Sequence, residues 1–219
     1  MNTTSLVEDT IAFVKETLSD AEAGHDWFHT QRVFRNALLI AKDEKADVLV
    51  VSLGALLHDI ADAKFHQGDE TVGPKMARTF LSSLDVEKEV IEKVCYIIEH
   101  ISFKNNIGEN KNKTHPVELF VVQDADRLDA IGAIGIARAF HYGGFKNRTL
   151  YDPEIAPNLE LSKEEYKNSK SPTINHFYEK LLLLKDKMNT KTGAKIALER
   201  HAFLLQYLEH FYSEWSGTQ

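Results

Sequence analysis

The chain has 219 residues, is 43% hydrophobic and 27% charged, and carries a formal charge of −7; this is globular usage and excludes a disordered or fibrous chain. The acidic balance disfavours a broad nucleic-acid-binding face, and no stretch approaches the ~20 apolar residues of a membrane span. The lone Cys95 suits a reducing compartment, and the acidic, polar first ten residues do not resemble an export signal, so a cytoplasmic protein with no nucleic-acid or membrane partner is expected.

Helical periodicity dominates from the start. Thr3, Thr4 and Ser5 offer capping hydroxyls to a stripe of Leu6, Val7, Ile11, Val14 and Leu18, and Gly24 ends that helix. A second helix is predicted from about Asp26 to Lys45, with Val33, Phe34, Ala37, Leu38 and Ala41 inward. Asp47 is placed to cap a third, from Val48 to about Ile60, whose run LVVSLGALLHDI is apolar nearly all round and therefore expects burial on every side. The fourth and fifth fall near Thr71–Leu84 and Val86–Ser102, and the polar segment Phe103–His115 reads as an exposed loop.

Pro116 then opens a helix predicted from Val117 to about Tyr142, bent near Asp129, in which Gly132, Ala133, Gly135 and Ala137 permit close backbone approach. Gly143–Pro172, with three of the five prolines, reads as a long irregular connection of the length that is usually functional. Two last helices are predicted, roughly Ile174–Asn189 and Lys195–Trp215. With strand signals nearly absent, the expected fold is a single all-α domain over residues 1–219, its C-terminal helices forming an extension from about 172 to 216.

The chemistry concentrates where polar residues interrupt apolar helices. His58 and Asp59 end the most buried segment, and a carboxylate there is costly unless it is paired or bound to a cation. One reading makes His58 a hydrogen-bonded core histidine and Asp59 a cap; the other gives both to a divalent metal, which accepts imidazole nitrogen and carboxylate oxygen together. Upstream, GHDWFHTQRV sets His25 and His29 four apart on one helical face. Asp26 beside them suits a cap or a hydrogen-bond partner of His29. Downstream, Asp124, Asp126 and Asp129 stand in an apolar helix and call for compensating charge, which Arg127 or a cation can supply. His29, His58, Asp59 and Asp126, from three helices that must pack together, form a mixed imidazole–carboxylate set suited to manganese, iron, cobalt, nickel or zinc.

These strings resemble the HD-domain metal-dependent phosphohydrolases, whose pattern is a histidine, a later His-Asp doublet and a distal aspartate. Here the pattern is His29 in HDWFHTQRV, His58-Asp59 in ALLHDIAD, and Asp126 in DADRLDA, over about residues 18–138. The strings GHDWFH, LLHDIADAK, EHISF and QDADRLDAIGAIGIAR are similar to a bacterial branch associated with nucleoside triphosphate pyrophosphohydrolysis. The resemblance implies an HD-type helical bundle and a divalent ion, Mn2+ in preference to Ni2+, Co2+, Fe2+, Zn2+ or Mg2+, held by His29, His58, Asp59 and Asp126. Asp124 is the alternative distal ligand.

Asp62, three residues past Asp59, is then expected to orient or deprotonate the attacking water, or else simply to close the helix at the surface. Lys64, Arg32 and His100 are the expected phosphate contacts, against ordinary surface or hydrogen-bonded roles for each. The implied reaction converts a nucleoside triphosphate, ribo or deoxy, to monophosphate and pyrophosphate. A phosphomonoesterase or phosphodiesterase acting on a nucleotide or sugar phosphate is the enzymatic alternative, and a degenerate nucleotide-binding signalling domain the non-enzymatic one. The stripe Phe203, Tyr207, Phe211 and Trp215 on the last helix suits either a core or a homodimer interface.

Overall fold

A computed structural model describes residues 3–19, 26–61, 69–101, 115–160 and 170–218. Every regular element among them is helical, and they group into two compact units, 1–126 and 127–219. None of the described helices is long and apolar enough to cross a membrane.

In the first unit, α1 (Thr3–Thr17) buries Leu6, Thr10 and Val14 on one face, and Thr10 satisfies its hydroxyl by donating to the Leu6 carbonyl at 2.7 Å. α2 (Trp27–Glu44) starts at Asp26, whose carboxylate accepts the His29 N–H, and ends at Lys45 in the left-handed region, φ 53°. α3 (Val48–Leu57) is capped by Asp47, which accepts from Leu49 N and Val50 N, and is buried at every position from Val50 to Leu57. Its neighbours are α1, α2 and α5, as its all-round apolarity requires. α4 (Val72–Ser83) and α5 (Lys88–His100) form a hairpin, tied on its outer side by the bidentate Arg78–Glu92 pair. Gly54 lets Ile97 of α5 press onto α3.

α3 stops three residues short of its predicted end. The ring of His58 takes the Ala55 carbonyl, with Nδ1 at 2.8 Å, and that is the acceptor an uninterrupted helix gives to the N–H of residue 59.

α6 (Val117–Asp129) crosses the boundary of the two units. The predicted bend near Asp129 is a full break: Ile131 is extended, Gly132 has φ +74°, and α7 runs from Gly132 to Phe145. Two guanidinium groups donate to carbonyls at the C-terminus of α6, where the Leu128 carbonyl also accepts the Ile131 N–H at 3.3 Å. Arg200 donates to the Leu128 carbonyl, and Arg138 donates both to the Asp129 carbonyl and, at 2.8 Å, to its buried carboxylate.

The ends of the long connection are clasped by main-chain bonds from Thr173 N to the Thr149 carbonyl and from Ile174 N to the Leu150 carbonyl. The helix predicted over 174–189 is instead a short α8 (Asn175–Glu179) followed, after a break at Lys180, by a 3₁₀ helix (Leu181–Lys187). Winding at three residues per turn stacks Leu181 over Leu184. α9 (Lys191–Ser216) begins four residues before its predicted start because the Thr190 hydroxyl accepts the Gly193 N–H at 2.9 Å. It packs on α7, with Phe140, Phe177 and Tyr207 in mutual ring contact.

Burial, reinforced by nearby Lys180 and Arg148, pushes the His176 imidazole down to about 3. The folded chain then binds fewer protons than the unfolded chain between about pH 3 and 6.5, so stability is expected to fall as pH drops through that window. His176→Asn should flatten this limb when urea midpoints are measured from pH 7 to 4. An unchanged slope in the variant would reject the assignment.

Candidate metal centre

Three helices of the first unit deliver the predicted residues to one point. Asp26 fixes the first turn of α2 through the His29 N–H (2.9 Å), and His29 is buried on that turn. Asn36, two turns further along α2, donates to the Ala125 carbonyl at 3.4 Å and so ties α2 to α6 next to Asp126. His58 and Asp59 arrive from the C-terminus of α3. The imidazoles of His29 and His58 meet edge to face, centroids 5.5 Å apart.

The separations fit a shared cation. His29 Nε2 lies 3.5 Å from Asp126 Oδ1 and 3.9 Å from Asp59 Oδ2, and His58 Nε2 lies 3.8 Å from the same Asp59 oxygen. These spacings exceed the 2.7–2.9 Å typical of a charge-assisted hydrogen bond. They match the ~3–4.2 Å that two ligands each ~2.1 Å from one ion keep between them. One ligand atom from each of His29, His58 and Asp126 falls within 4.8 Å of the other two.

The tautomer of His58 supplies the chemical test. A carbonyl can only accept, so Nδ1–H donates to Ala55, and Nε2 of the neutral ring carries a lone pair. That Nε2 is buried and has no hydrogen-bond partner among the described residues. A buried imidazole nitrogen left unsatisfied is costly, and a divalent cation among these donors satisfies it. The two imidazole side chains are buried, whereas Asp59 and Asp126 are 23% and 41% exposed; the cluster therefore opens to solvent on its carboxylate side, where a substrate can approach.

The other predicted residues sort as follows. Asp124 is fully buried and, two residues before Asp126, stands ~200° round α6 from it. Arg32 is half-buried one turn beyond His29 on α2. His100, the last residue of α5, stacks on Tyr96 (centroids 4.0 Å apart), and its Nδ1 donates to the Tyr96 carbonyl at 2.9 Å. Arg127 reaches the Lys187 main-chain carbonyl at 2.7 Å. Asp62, Lys64 and His25 lie outside the described residues. Sequence reasoning missed Asn36, the Ala55 carbonyl, Gln123, which donates to the His100 carbonyl, and Arg138, which pairs with Asp129. An Asn at helical spacing from His29 was the one available signal.

The comparisons agree with this architecture. The HD domain family matches residues 27–131, a span that contains all four clustered side chains. YpgQ of Bacillus subtilis (strain 168) is 38% identical over 207 residues, 94% of this chain and 91% of that protein. The crystal structure of an HD-superfamily hydrolase from Bacillus thuringiensis superposes with a TM-score of 0.79 at 40% identity, covering 98% of this chain and 99% of that one. The crystal structure of B. subtilis YpgQ in complex with ADP gives 0.74 at 34% identity, covering 95% and 97%. With the His29, His58 and Asp126 cluster standing inside the matched span, the chain belongs to the HD-superfamily hydrolases.

Proposed function

We propose that the chain is a metal-dependent phosphohydrolase that cleaves nucleoside triphosphates, ribo or deoxy, between the α and β phosphates to give monophosphate and pyrophosphate. His29, His58, Asp59 and Asp126 hold the divalent ion, Mn2+ by preference. The observation that carries this reading is the buried Nε2 of His58, without a hydrogen-bond partner among the described residues and within a cluster of donors of the right chemical type. The nucleotide class is supported by a relative of similar length that crystallised with ADP.

A divalent ion in this set supplies Lewis acidity, acidifying water and polarising a phosphoryl oxygen. The protein's own groups do the rest. The Asp26 cap fixes the main chain of His29, and the Ala55 carbonyl holds the His58 imidazole and fixes its tautomer. Asp62 takes the proton of the attacking water as its oxygen bonds to phosphorus and the bridging P–O bond breaks. Lys64, Arg32 and His100 offset the charge of the phosphates.

The reaction is tested by incubating the protein with Mn2+ and ATP, dGTP or nucleoside monophosphates and measuring phosphate and pyrophosphate separately. Pyrophosphate from triphosphates is the expected product. Phosphate released from monophosphates would replace this reading with a phosphomonoesterase, and nucleotide binding without turnover would replace it with a signalling domain. Asp62→Ala is expected to keep the bound metal and lose about 10²–10⁴-fold in rate. Loss of metal from that variant would move Asp62 into the coordination set.

A further inference from the structure

α5 and α6 are joined by polar and aromatic contacts that the reaction as described does not use. Tyr96 and His100 are four apart on α5 and so share a face, with His100 the last residue of the helix. Their rings stack, centroids 4.0 Å apart and 21° from parallel, and the His100 Nδ1–H donates to the Tyr96 carbonyl at 2.9 Å. The Tyr96 hydroxyl shares a hydrogen bond of 2.8 Å with Nδ1 of His115. His115 stands two residues before α6 and meets Phe120 of that helix edge to face, centroids 6.1 Å apart. From α6 itself, the Gln123 amide donates to the His100 carbonyl at 2.9 Å.

Gln123 is one turn before Asp126 on α6, so these contacts bring the end of α5 to the neighbourhood of the metal set. They also orient the imidazole. With Nδ1 turned back to its own helix and one face of the ring against Tyr96, His100 has only Nε2 left to offer a ligand. A phosphate oxygen accepts and does not donate, so it meets Nε2 as a protonated nitrogen, in a charge-assisted bond. The electron-rich face of the Tyr96 ring suits that charge. Tyr96 is itself half-buried and turns about two side-chain bonds. Its hydroxyl lies at the end of the ring far from α5, where the bond to His115 holds the ring against that rotation.

We propose that Tyr96 and His115 are positioning residues for substrate binding: their hydrogen bond locks the Tyr96 ring against His100 and so holds Nε2 ready for a phosphate group. This rests on the reading of His100 as a phosphate contact. Steady-state kinetics with ATP and Mn2+ test it. Tyr96→Phe and His115→Ala are each expected to raise KM about fivefold, the worth of one hydrogen bond, with kcat within about twofold. Both remove the same bond, so the double variant should be no worse than either single one. His115→Gln, whose side-chain amide can still pair with the hydroxyl, should stay near wild type. His100→Ala should raise KM by about tenfold or more, and adding Tyr96→Phe to it should change nothing further. Binding of Mn2+ alone should be the same in wild type and Tyr96→Phe. An unchanged KM in Tyr96→Phe, an equal loss with His100 already removed, or a loss of Mn2+ affinity would each overturn the proposal. If the wild type neither binds nor cleaves ATP, the pyrophosphohydrolase reading falls and this inference with it; if it cleaves ATP with a KM blind to these changes, only this inference falls.

Discussion

Replacing His58 with alanine is expected to remove both metal binding and hydrolysis while leaving a folded chain. The hydrogen-bond cost to the metal-free protein is modest, because among the described residues the Nε2 it deletes has no partner to lose and only the Nδ1 bond to Ala55 goes with it. The effect appears once metal is added. An ion present at a hundredfold above its dissociation constant stabilises the wild type by about 2.7 kcal/mol. For a chain of this size that is a rise in Tm of about 5–10 °C. The variant should show no rise at all, with no metal retained after gel filtration and no turnover. A variant that keeps the metal-induced rise would return His58 to an ordinary core histidine held by Ala55. Asp59→Ala should behave alike, since its carboxylate lies within 4 Å of both imidazole nitrogens.

The cluster was legible in the sequence because its members are out of place by composition. A His-Asp doublet after a run of buried leucines and alanines, and an aspartate in an apolar helix, carry a desolvation cost that needs a reason. The choice between Asp124 and Asp126 was not legible from cost alone, since both interrupt the same helix. It turns on helical phase: Asp126 faces His29, and Asp124 sits ~200° away. The supports of the site were less visible still. A main-chain carbonyl such as that of Ala55 leaves no trace in the sequence, and Asn36 reads as an ordinary polar residue until its acceptor on α6 is known.

The helical class followed directly from periodicity, but two boundaries were set by tertiary contacts that periodicity does not contain. The run from Val117 to Tyr142 keeps its apolar spacing through Asp129, yet the chain breaks there because Arg138 and Arg200 come from elsewhere to take the terminal carbonyls. Arg127 is next in sequence to the aspartates and so was the counter-ion that proximity suggested. Arg138, nine residues on and past the turn at Gly132, also pairs with Asp129, a contact that sequence proximity does not reveal. The four consecutive leucines after Lys180 looked like a continuing α-helix and wind as a 3₁₀ helix.

Gly135→Ala is expected to be among the most destabilising single changes in the chain outside the apolar core. A Cβ at Gly135 would stand 2.2 Å from the carbonyl oxygen of Ala130 and 2.4 Å from its carbonyl carbon. That carbonyl belongs to the tight turn between α6 and α7, so the backbone that approaches Gly135 is the chain's own preceding turn. It has little freedom to retreat, because Arg200 holds the Leu128 carbonyl and Arg138 holds Asp129 on its N-terminal side, while Gly132 already sits at φ +74° on the other. Relief therefore requires shifting main chain, not rotating a side chain, and should cost about 3 kcal/mol or more. At 2–4 °C per kcal/mol this lowers Tm by about 6–12 °C. Gly144→Ala on the same helix is the control. A Cβ there meets nothing within 4 Å, so the change should be neutral or stabilise by up to about 1 kcal/mol through helix propensity and reduced freedom of the unfolded chain. Thermal unfolding of the two variants side by side separates a steric cost from a general effect of glycine replacement in α7. Equal midpoints would mean that the turn at Ala130 is looser than its contacts imply.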